Sequence, residues 1–221
     1  MQFRQILLHW WGTNKRNFPW REEEYRNPYR AVIAELMLRR TRAAQVAPIY
    51  ISFLKNYPDL AAGASAQEDA LKKILFPLGL AWRADSIINF LKTAYAQHGN
   101  ALPATRSLLL ALPGIGDYVS AAVECFAGDG RTPLIDVNIV RVLGRIFGAD
   151  ISGEARRRKE IRELAAIAMD PDETADYHYA ILDFGAKICL ARKPDCPRCP
   201  FRAAYACTYY NALDSVSENN L

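Results

Sequence analysis

Apolar residues recur at helical spacing along almost the whole chain, and no stretch shows the strict alternation of a half-buried strand. The pattern therefore predicts an all-α protein. The predicted helices span residues 4–11, 29–39, 43–56, 67–76, 81–98, 137–147, 154–169 and 173–189. The small and polar residues 61–66 predict a loop. Asn27 and Pro28 have the form of a helix N-cap followed by proline at the first helical position.

A tight turn is predicted between two short apolar segments, at residues 113–116, Pro-Gly-Ile-Gly. Gly114 and Gly116 permit a backbone turn that other residues resist. A helix starting at about Asp117 would point its N–H groups outward, and such a helix N-terminus can bind a DNA phosphate. A Gly-x-Gly pair alone is weak evidence, but the flanking helices and the aspartate 18 residues after Tyr118 strengthen it.

Length and composition indicate a globular protein. The chain of 221 residues suits one unit or two closely joined lobes, and a hydrophobic fraction of 51% is enough for a core. No apolar run reaches the roughly 18 residues that span a bilayer. The N-terminus lacks the long apolar core of a signal peptide. We therefore expect a cytoplasmic protein with no membrane partner.

The distribution of charge says more than the modest net charge of +4. Three basic clusters stand out: residues 39–42, residues 156–159, and Arg192 with Lys193. Basic clusters can neutralise phosphates, which favours a nucleic-acid partner. A solvated helix face explains residues 156–159 equally well.

Four cysteines crowd into 19 residues near the C-terminus, with the spacing C-x6-C-x2-C-x7-C. They are Cys189, Cys196, Cys199 and Cys207. In a cytosolic chain this pattern indicates metal ligands rather than disulfides. Four thiolates suit an iron–sulfur cluster or a zinc site, and chemistry alone does not separate the two. Cys125 stands alone and is expected to be buried packing, and the polar tail after Cys207 is expected to be loose.

Residues 112–136 resemble the helix-hairpin-helix and aspartate motif of the endonuclease III and MutY superfamily of DNA glycosylases. The similarity extends to residues 28–41, to residues 78–84, which resemble the loop facing the flipped base, and to residues 181–189. The resemblance implies an all-α, two-lobed helix-hairpin-helix glycosylase fold with a C-terminal four-cysteine cluster loop.

The resemblance also implies how the lobes are built. One would be a six-helix barrel of residues 22–132 carrying the hairpin. The other would combine residues 1–21 and 133–221, and the active site would lie in the cleft between them. A monomer is the usual state of the superfamily.

For the cysteines the resemblance favours a [4Fe–4S] cluster, with zinc as the alternative. The family spacing is C-x6-C-x2-C-x5-C, so the last interval here is two residues longer, which a loop bulge would absorb. The cluster would have a structural role. It would pin a loop whose Arg192 and Lys193 can reach phosphate.

The resemblance assigns roles to four further residues. Asp136 matches the aspartate that stabilises the oxocarbenium-like sugar or activates water, a role compatible with capping the next helix. Glu35 matches the acid that helps the base to leave, although by pattern alone it could be a partly exposed helix glutamate. Asn138 matches a position that orients water or substrate. Tyr118 replaces the lysine of bifunctional members and cannot form an imine, so we expect a monofunctional enzyme.

Arg39 and Arg40 decide the predicted substrate. They stand where the MutY segment has two glutamines, and this departure resembles the Mig-type thymine/uracil mismatch glycosylases. The target nucleotide must leave the base stack, and Arg40 could then fill the space it leaves and donate to the unpaired guanine. Arg39 is the second candidate for this role. Both could instead contact phosphates or be surface charges. The chain also ends soon after Cys207, whereas MutY enzymes typically continue into a second domain.

The predicted activity is therefore excision of thymine or uracil opposite guanine in double-stranded DNA. The alternatives are adenine opposite guanine or 8-oxoguanine, another damaged base, a bifunctional nicking enzyme, and a non-catalytic DNA-binding module. The presence of Asp136, Glu35 and Asn138 together argues against the last.

Overall fold

The computed structural model describes residues 2–79, 81–103, 105–128, 130–204 and 206–212. Regular structure in these ranges is helical, which confirms the all-α prediction. The helices include α1 (Gln2–Asn14), α2 (Pro28–Leu38), α3 (Ala43–Asn56), α4 (Leu60–Ser65), α5 (Glu68–Leu75), α6 (Ala81–His98), α7 (Arg106–Leu110), α8 (Asp117–Ala127), α9 (Val137–Phe147), α10 (Lys159–Ala168), α11 (Thr174–Lys187) and α12 (Pro200–Ala203), and residues 208–212 are also helical. None of these helices is long and apolar enough to cross a bilayer.

The chain divides into two compact units, Asn17–Gly130 and Met1–Arg16 with Arg131–Leu221. The boundaries fall after Arg16 and Gly130, whereas the resemblance implied boundaries after residues 21 and 132. The predicted loose tail follows Cys207, and its residues 213–221 lie outside the described part of the chain.

The unit Asn17–Gly130 is built around α2. Its start is the predicted one: Asn27 Oδ1 accepts a hydrogen bond from the Arg30 N–H at 2.9 Å, and Pro28 occupies the first helical position. Most of α2 is buried, and it packs against α3, α6 and α8. Glu35 is therefore carried by a helix fixed on several sides.

The predicted loop at residues 61–66 is wrong, because α4 lies there. Asp59 caps α4 by accepting a hydrogen bond from the Ala62 N–H at 2.9 Å. Gly63 lets α4 approach α6 closely, since a Cβ there would meet Leu91 Cδ2 at 2.9 Å. The small residues that favoured a loop in the sequence are what this helix contact requires.

The predicted helix 154–169 is shorter than expected. Residues Ala155–Arg157 form a 3-10 turn and α10 begins only at Lys159. Arg158 between them has extended backbone, and its guanidinium binds Asp150 Oδ2 at 2.5 Å and the Ser152 carbonyl at 2.7 Å. These side-chain contacts across the preceding loop interrupt the helix.

In the unit Met1–Arg16 with Arg131–Leu221, α1 and α9 both pack against α11. Asp183 of α11 is fully buried and accepts hydrogen bonds from Trp11 Nε1 at 3.0 Å and from the Arg16 N–H at 2.9 Å. Arg16 Nε lies 2.5 Å from the other Asp183 oxygen. A buried carboxylate is tolerated only when it is paired and hydrogen-bonded in this way. These contacts fix α1 on α11.

Candidate active site and cysteine cluster

The Asp136 carboxylate is held at the N-terminus of α9. Its Oδ1 accepts hydrogen bonds from the N–H groups of Asn138 at 2.8 Å and Ile139 at 2.7 Å, which confirms the predicted N-cap. Its Oδ2 accepts from Asn138 Nδ2 at 2.7 Å. Three donors thus fix the orientation of a half-buried carboxylate, which retains acceptor capacity for one more partner.

Asn138 and Arg141 connect Asp136 to the first cysteine. Arg141 Nη1 donates to Asn138 Oδ1 at 3.1 Å, Nη2 donates to the Gly185 carbonyl at 2.9 Å, and Nε donates to the Cys189 carbonyl at 2.9 Å. Burial lowers the pKa of Arg141 from its ordinary high value. The orientation of Asp136 therefore depends on main-chain positions at the end of α11.

His178 holds the segment that leads into Asp136. Its Nε2 accepts a hydrogen bond from the Leu134 N–H at 3.0 Å, and its Nδ1 lies 2.8 Å from the Thr174 carbonyl oxygen. A carbonyl can only accept and an N–H can only donate, so the ring must be neutral with its proton on Nδ1. Burial lowers the pKa of His178 to about 4.

Acidification should destabilise the protein through His178. The folded pKa of about 4 lies below the unfolded value of 6.5, so the unfolded chain takes up the proton first. The stabilisation is complete above pH 6.5 and falls by about 3 kcal/mol as the pH drops towards 4. We expect urea unfolding between pH 7.5 and pH 4 to show this loss. In His178→Gln the difference from the unmodified protein should shrink with falling pH.

His9→Gln is the matched control, because His9 is an exposed histidine of α1 in the same unit. Its stability should follow that of the unmodified protein at every pH. Parallel pH curves for His178→Gln and the unmodified protein would contradict the neutral, doubly bonded state of His178.

Glu35 is half-buried on α2, between the buried residues Ala34 and Leu36. Its charge acts on two neighbours. Burial lowers the pKa of Arg39, and Glu35 opposes that shift. Burial, with a smaller contribution from the charge of Glu35, raises the pKa of the Cys125 thiol to about 12. Cys125 is buried packing, as predicted.

At the hairpin of residues 113–116 the prediction holds for Gly114 but not for Gly116, whose φ of −109° other residues also adopt. Gly114 has φ +78°, and a Cβ there would meet Ser86 Oγ at 2.9 Å. Gly116 is the exposed N-cap of α8. No residue within the described ranges accepts a hydrogen bond from the N–H of either glycine. Tyr118, at the second position of α8, is half-buried against the core of its unit.

Arg39 and Arg40 follow α2 and differ in exposure. Arg39 is half-buried and donates through Nη2 to the Gly114 carbonyl, which joins it to the hairpin. Arg40 is exposed and has φ +54°. Arg40 is therefore the more exposed of the two, and Arg39 is tied to the hairpin.

All four cysteines of the predicted cluster line one small apolar cavity of about 20 Å³. Their thiols are free of disulfides, and Cys207 is included despite the longer interval before it. Arg145 also lines the cavity, and its Nη1 lies 3.6 Å from Cys189 Sγ. Within the described ranges, no three His, Cys, Asp or Glu side chains are grouped closely enough to hold one metal ion.

The loop after Cys189 exposes the predicted phosphate contacts. Arg192 and Lys193 are both exposed, and Lys193 has φ +50°. Arg145 holds the base of the loop through the carbonyls of Leu190 at 2.6 Å and Ala191 at 3.0 Å.

Residues 33–167 match the HhH-GPD superfamily of base excision DNA repair proteins. This match covers more than half of the chain and includes the second half of α2 with Glu35 as well as α9 with its Asp136 cap. The chain belongs to the HhH-GPD superfamily. The predicted resemblance is thereby confirmed.

Relatives within the superfamily match this chain along nearly its whole length. A thymine-DNA glycosylase of Aeropyrum pernix is 35% identical, over 94% of each chain. A thymine/uracil-DNA glycosylase of Methanothermobacter thermautotrophicus is 33% identical, over 94% of this chain and 93% of that one. An adenine DNA glycosylase of Mycobacterium tuberculosis is 30% identical, over 88% of this chain but 64% of that one.

A solved thermostable thymine-DNA glycosylase superposes with a TM-score of 0.85 at 32% identity, covering 96% of both chains. The predicted helix-hairpin-helix glycosylase fold is therefore confirmed.

Sequence reasoning missed three residues that shape this HhH-GPD site. Arg83 lies in the loop motif of residues 78–84 but was given no role, and Leu80 of that motif lies outside the described residues. Arg141 was also given no role, although its position three residues after Asn138 is a signal for contact. His178 gave no signal, since its partner Leu134 is distant in sequence.

Proposed function

We propose that this protein is a monofunctional DNA glycosylase of base excision repair that releases thymine or uracil mispaired with guanine in double-stranded DNA. The observation that carries the proposal is the Asp136 carboxylate, oriented by three donors at the start of α9. The choice of base is supported by the match, over 94% of this chain, to a thymine-DNA glycosylase and a thymine/uracil-DNA glycosylase.

In the proposed reaction the bond between C1′ and the base nitrogen breaks, and its electron pair leaves with the base. Asp136 stabilises the positive charge on the sugar and accepts a proton from the water that adds at C1′. Glu35 supplies a proton to the leaving pyrimidine, directly at a carbonyl or through a water. Asn138, by binding Asp136 Oδ2, keeps the carboxylate in place. Tyr118 offers no amine, so strand nicking through an imine is not expected.

We propose that the protein binds DNA through the phosphates and recognises the mismatch through the base opposite the excised nucleotide. The N–H groups of Gly114 and Gly116 at the start of α8 suit a phosphate, as do the exposed Arg192 and Lys193. Arg40, exposed on its turn, fills the space left by the flipped nucleotide and donates to the unpaired guanine.

We propose that Cys189, Cys196, Cys199 and Cys207 hold a [4Fe–4S] cluster, with zinc as the alternative. All four line one cavity, as four ligands of a single cluster must. The cluster would cross-link the loop that carries Arg192 and Lys193, and it would not take part in redox chemistry. Metal analysis separates the two, since a cluster carries about four irons per chain and zinc one ion.

Adenine release is the second candidate, because adenine glycosylases also match this chain at 30% identity. Glu35 could protonate a leaving adenine at N7. A DNA-binding module without catalysis is the candidate from another class, and the oriented Asp136 argues against it.

Base release from labelled duplexes tests the proposal. The purified protein should produce alkali-sensitive sites in T:G and U:G duplexes, and not in A:G, A opposite 8-oxoguanine or T:A duplexes. Release of adenine would replace the pyrimidine proposal by the second candidate. Binding without release from any duplex would favour the non-catalytic module. Borohydride should trap little protein on DNA, because Tyr118 cannot form an imine.

A further inference from the structure

The turn that presents Arg40 has a form that a large side chain does not favour. The Thr41 N–H donates to the Leu38 carbonyl at 3.3 Å, which closes a β-turn over residues 38–41. Arg39 has φ −58° and ψ 116°, and Arg40 has φ +54°. These are the angles of a type II turn, whose third position favours glycine or asparagine. An arginine there needs support from outside the turn.

Arg83 of α6 supplies that support. Its side chain is buried, and Nη2 donates to the Arg39 carbonyl, which belongs to the central peptide of the turn. Type I and type II turns differ by a flip of this peptide, because ψ at the second position changes from about −30° to about +120°. In a type I turn the carbonyl would face away and leave a buried charged donor without this partner. The contact therefore selects the type II form and the positive φ of Arg40.

The same guanidinium fixes the position of the turn. Arg83 Nη1 donates to Thr41 Oγ1 at 2.6 Å and to the Leu78 carbonyl at 3.0 Å. The residue thus joins the Arg40 turn to the 3-10 turn Phe76–Leu78 that precedes α6. Gln45 Nε2 strengthens this junction by donating to the Pro77 carbonyl at 2.7 Å.

We infer that Arg83 is a positioning residue for recognition of the base opposite the excised nucleotide, because it holds the turn of residues 38–41 in the form that presents Arg40. The inference rests on the proposed function, in which Arg40 donates to the unpaired guanine. Arg83 is only 1% exposed and does not itself read DNA. Preference for guanine should nevertheless depend on it.

Binding to duplexes with a tetrahydrofuran abasic analogue tests this role without any base release. Affinity is measured with guanine and with adenine opposite the analogue, and the ratio reports reading of the orphaned base. In the unmodified protein we expect a guanine preference of about tenfold or more, the value of one good side-chain pair with a base. Arg40→Ala should bring the ratio close to one. Arg83→Met should lower it by a similar factor, and the double variant should lower it no further.

Arg4→Met is the matched control. Arg4 also donates to two main-chain carbonyls, those of Ile167 and Ala168, but belongs to the other unit. It should lower the melting temperature and leave the guanine preference unchanged. If Arg83→Met does not fold, Arg83→Lys and Thr41→Val weaken the same junction without replacing its charged side chain by an apolar one, and each should lower the ratio.

Two outcomes would overturn the inference. If the folded Arg83 variants keep the full guanine preference and lose only thermal stability, Arg83 is merely structural. If the unmodified protein shows no guanine preference, both the role of Arg83 and that of Arg40 fail. The duplex panel still decides separately whether the protein releases a base.

Discussion

Asp136→Asn should reduce base release from a T:G duplex by about 10³-fold or more, while binding to the same duplex stays largely intact. The substitution removes the negative charge that stabilises the developing positive charge on the sugar, which raises the barrier by about 4 kcal/mol. Asparagine is as good an N-cap as aspartate, so α9 should keep its start. In the unmodified protein Asn138 Nδ2 donates to Asp136 Oδ2 at 2.7 Å, and in the variant it meets the side-chain amide of the new asparagine instead. Single-turnover release measures the effect.

Asp150→Asn is the matched control, since it removes one negative charge from the same unit. Asp150 likewise accepts from a backbone N–H two residues on, that of Ser152 at 2.8 Å, but it is exposed. Its hydrogen bonds with Ser152 and Arg158 lower its pKa to about 2, so it is charged at neutral pH. Release should change little in this variant. An Asp136→Asn protein that turns over at the rate of the Asp150→Asn control would remove Asp136 from the chemistry.

Local signals in the sequence predicted the frame of the site. The bounds of α3, α6 and α9 follow from periodicity and from residues whose preference is local, such as the Asp136 cap. The Gly114 turn was predictable because its positive φ is a property of one residue.

The connections between these parts were not predictable. Arg83 meets the Arg39 carbonyl across 44 residues, and His178 meets the Leu134 N–H across a similar separation. No local preference encodes such contacts. The same limit explains the wrong loop prediction at α4. Gly63 is typical of loops in sequence, and its close contact with Leu91 of α6 is visible only in the structure.

A chain of hydrogen bonds connects Cys189, a proposed cluster ligand, to Asp136, the proposed catalytic carboxylate. Arg141 takes its position from the carbonyls of Gly185 and Cys189, and Asn138 takes its position from Arg141. Any loosening of the chain at Cys189 is therefore passed to the partner of the Asp136 carboxylate.

Cys196→Ser should accordingly abolish stable binding of the metal group and lower base release by roughly 10- to 100-fold, the range typical of disturbed supporting contacts. Two physical effects contribute. The loop that carries Arg192 and Lys193 is no longer cross-linked by the proposed metal group, and the Cys189 carbonyl that accepts from Arg141 is no longer held in place. Metal and sulfide content, the melting temperature and single-turnover release are measured on the same preparations. A fall in metal content with unchanged release would contradict the coupling.

Cys125→Ala controls for the loss of a cysteine as such. Cys125 is buried in α8, within the unit Asn17–Gly130, and lines no part of the cysteine cavity. The variant should keep its full metal content and most of its release rate. Arg141→Met separates the two effects, because it leaves all four cysteines in place. Metal retained together with slow release in Arg141→Met would assign the loss to the orientation of Asp136, and fast release would assign it to the DNA-binding loop.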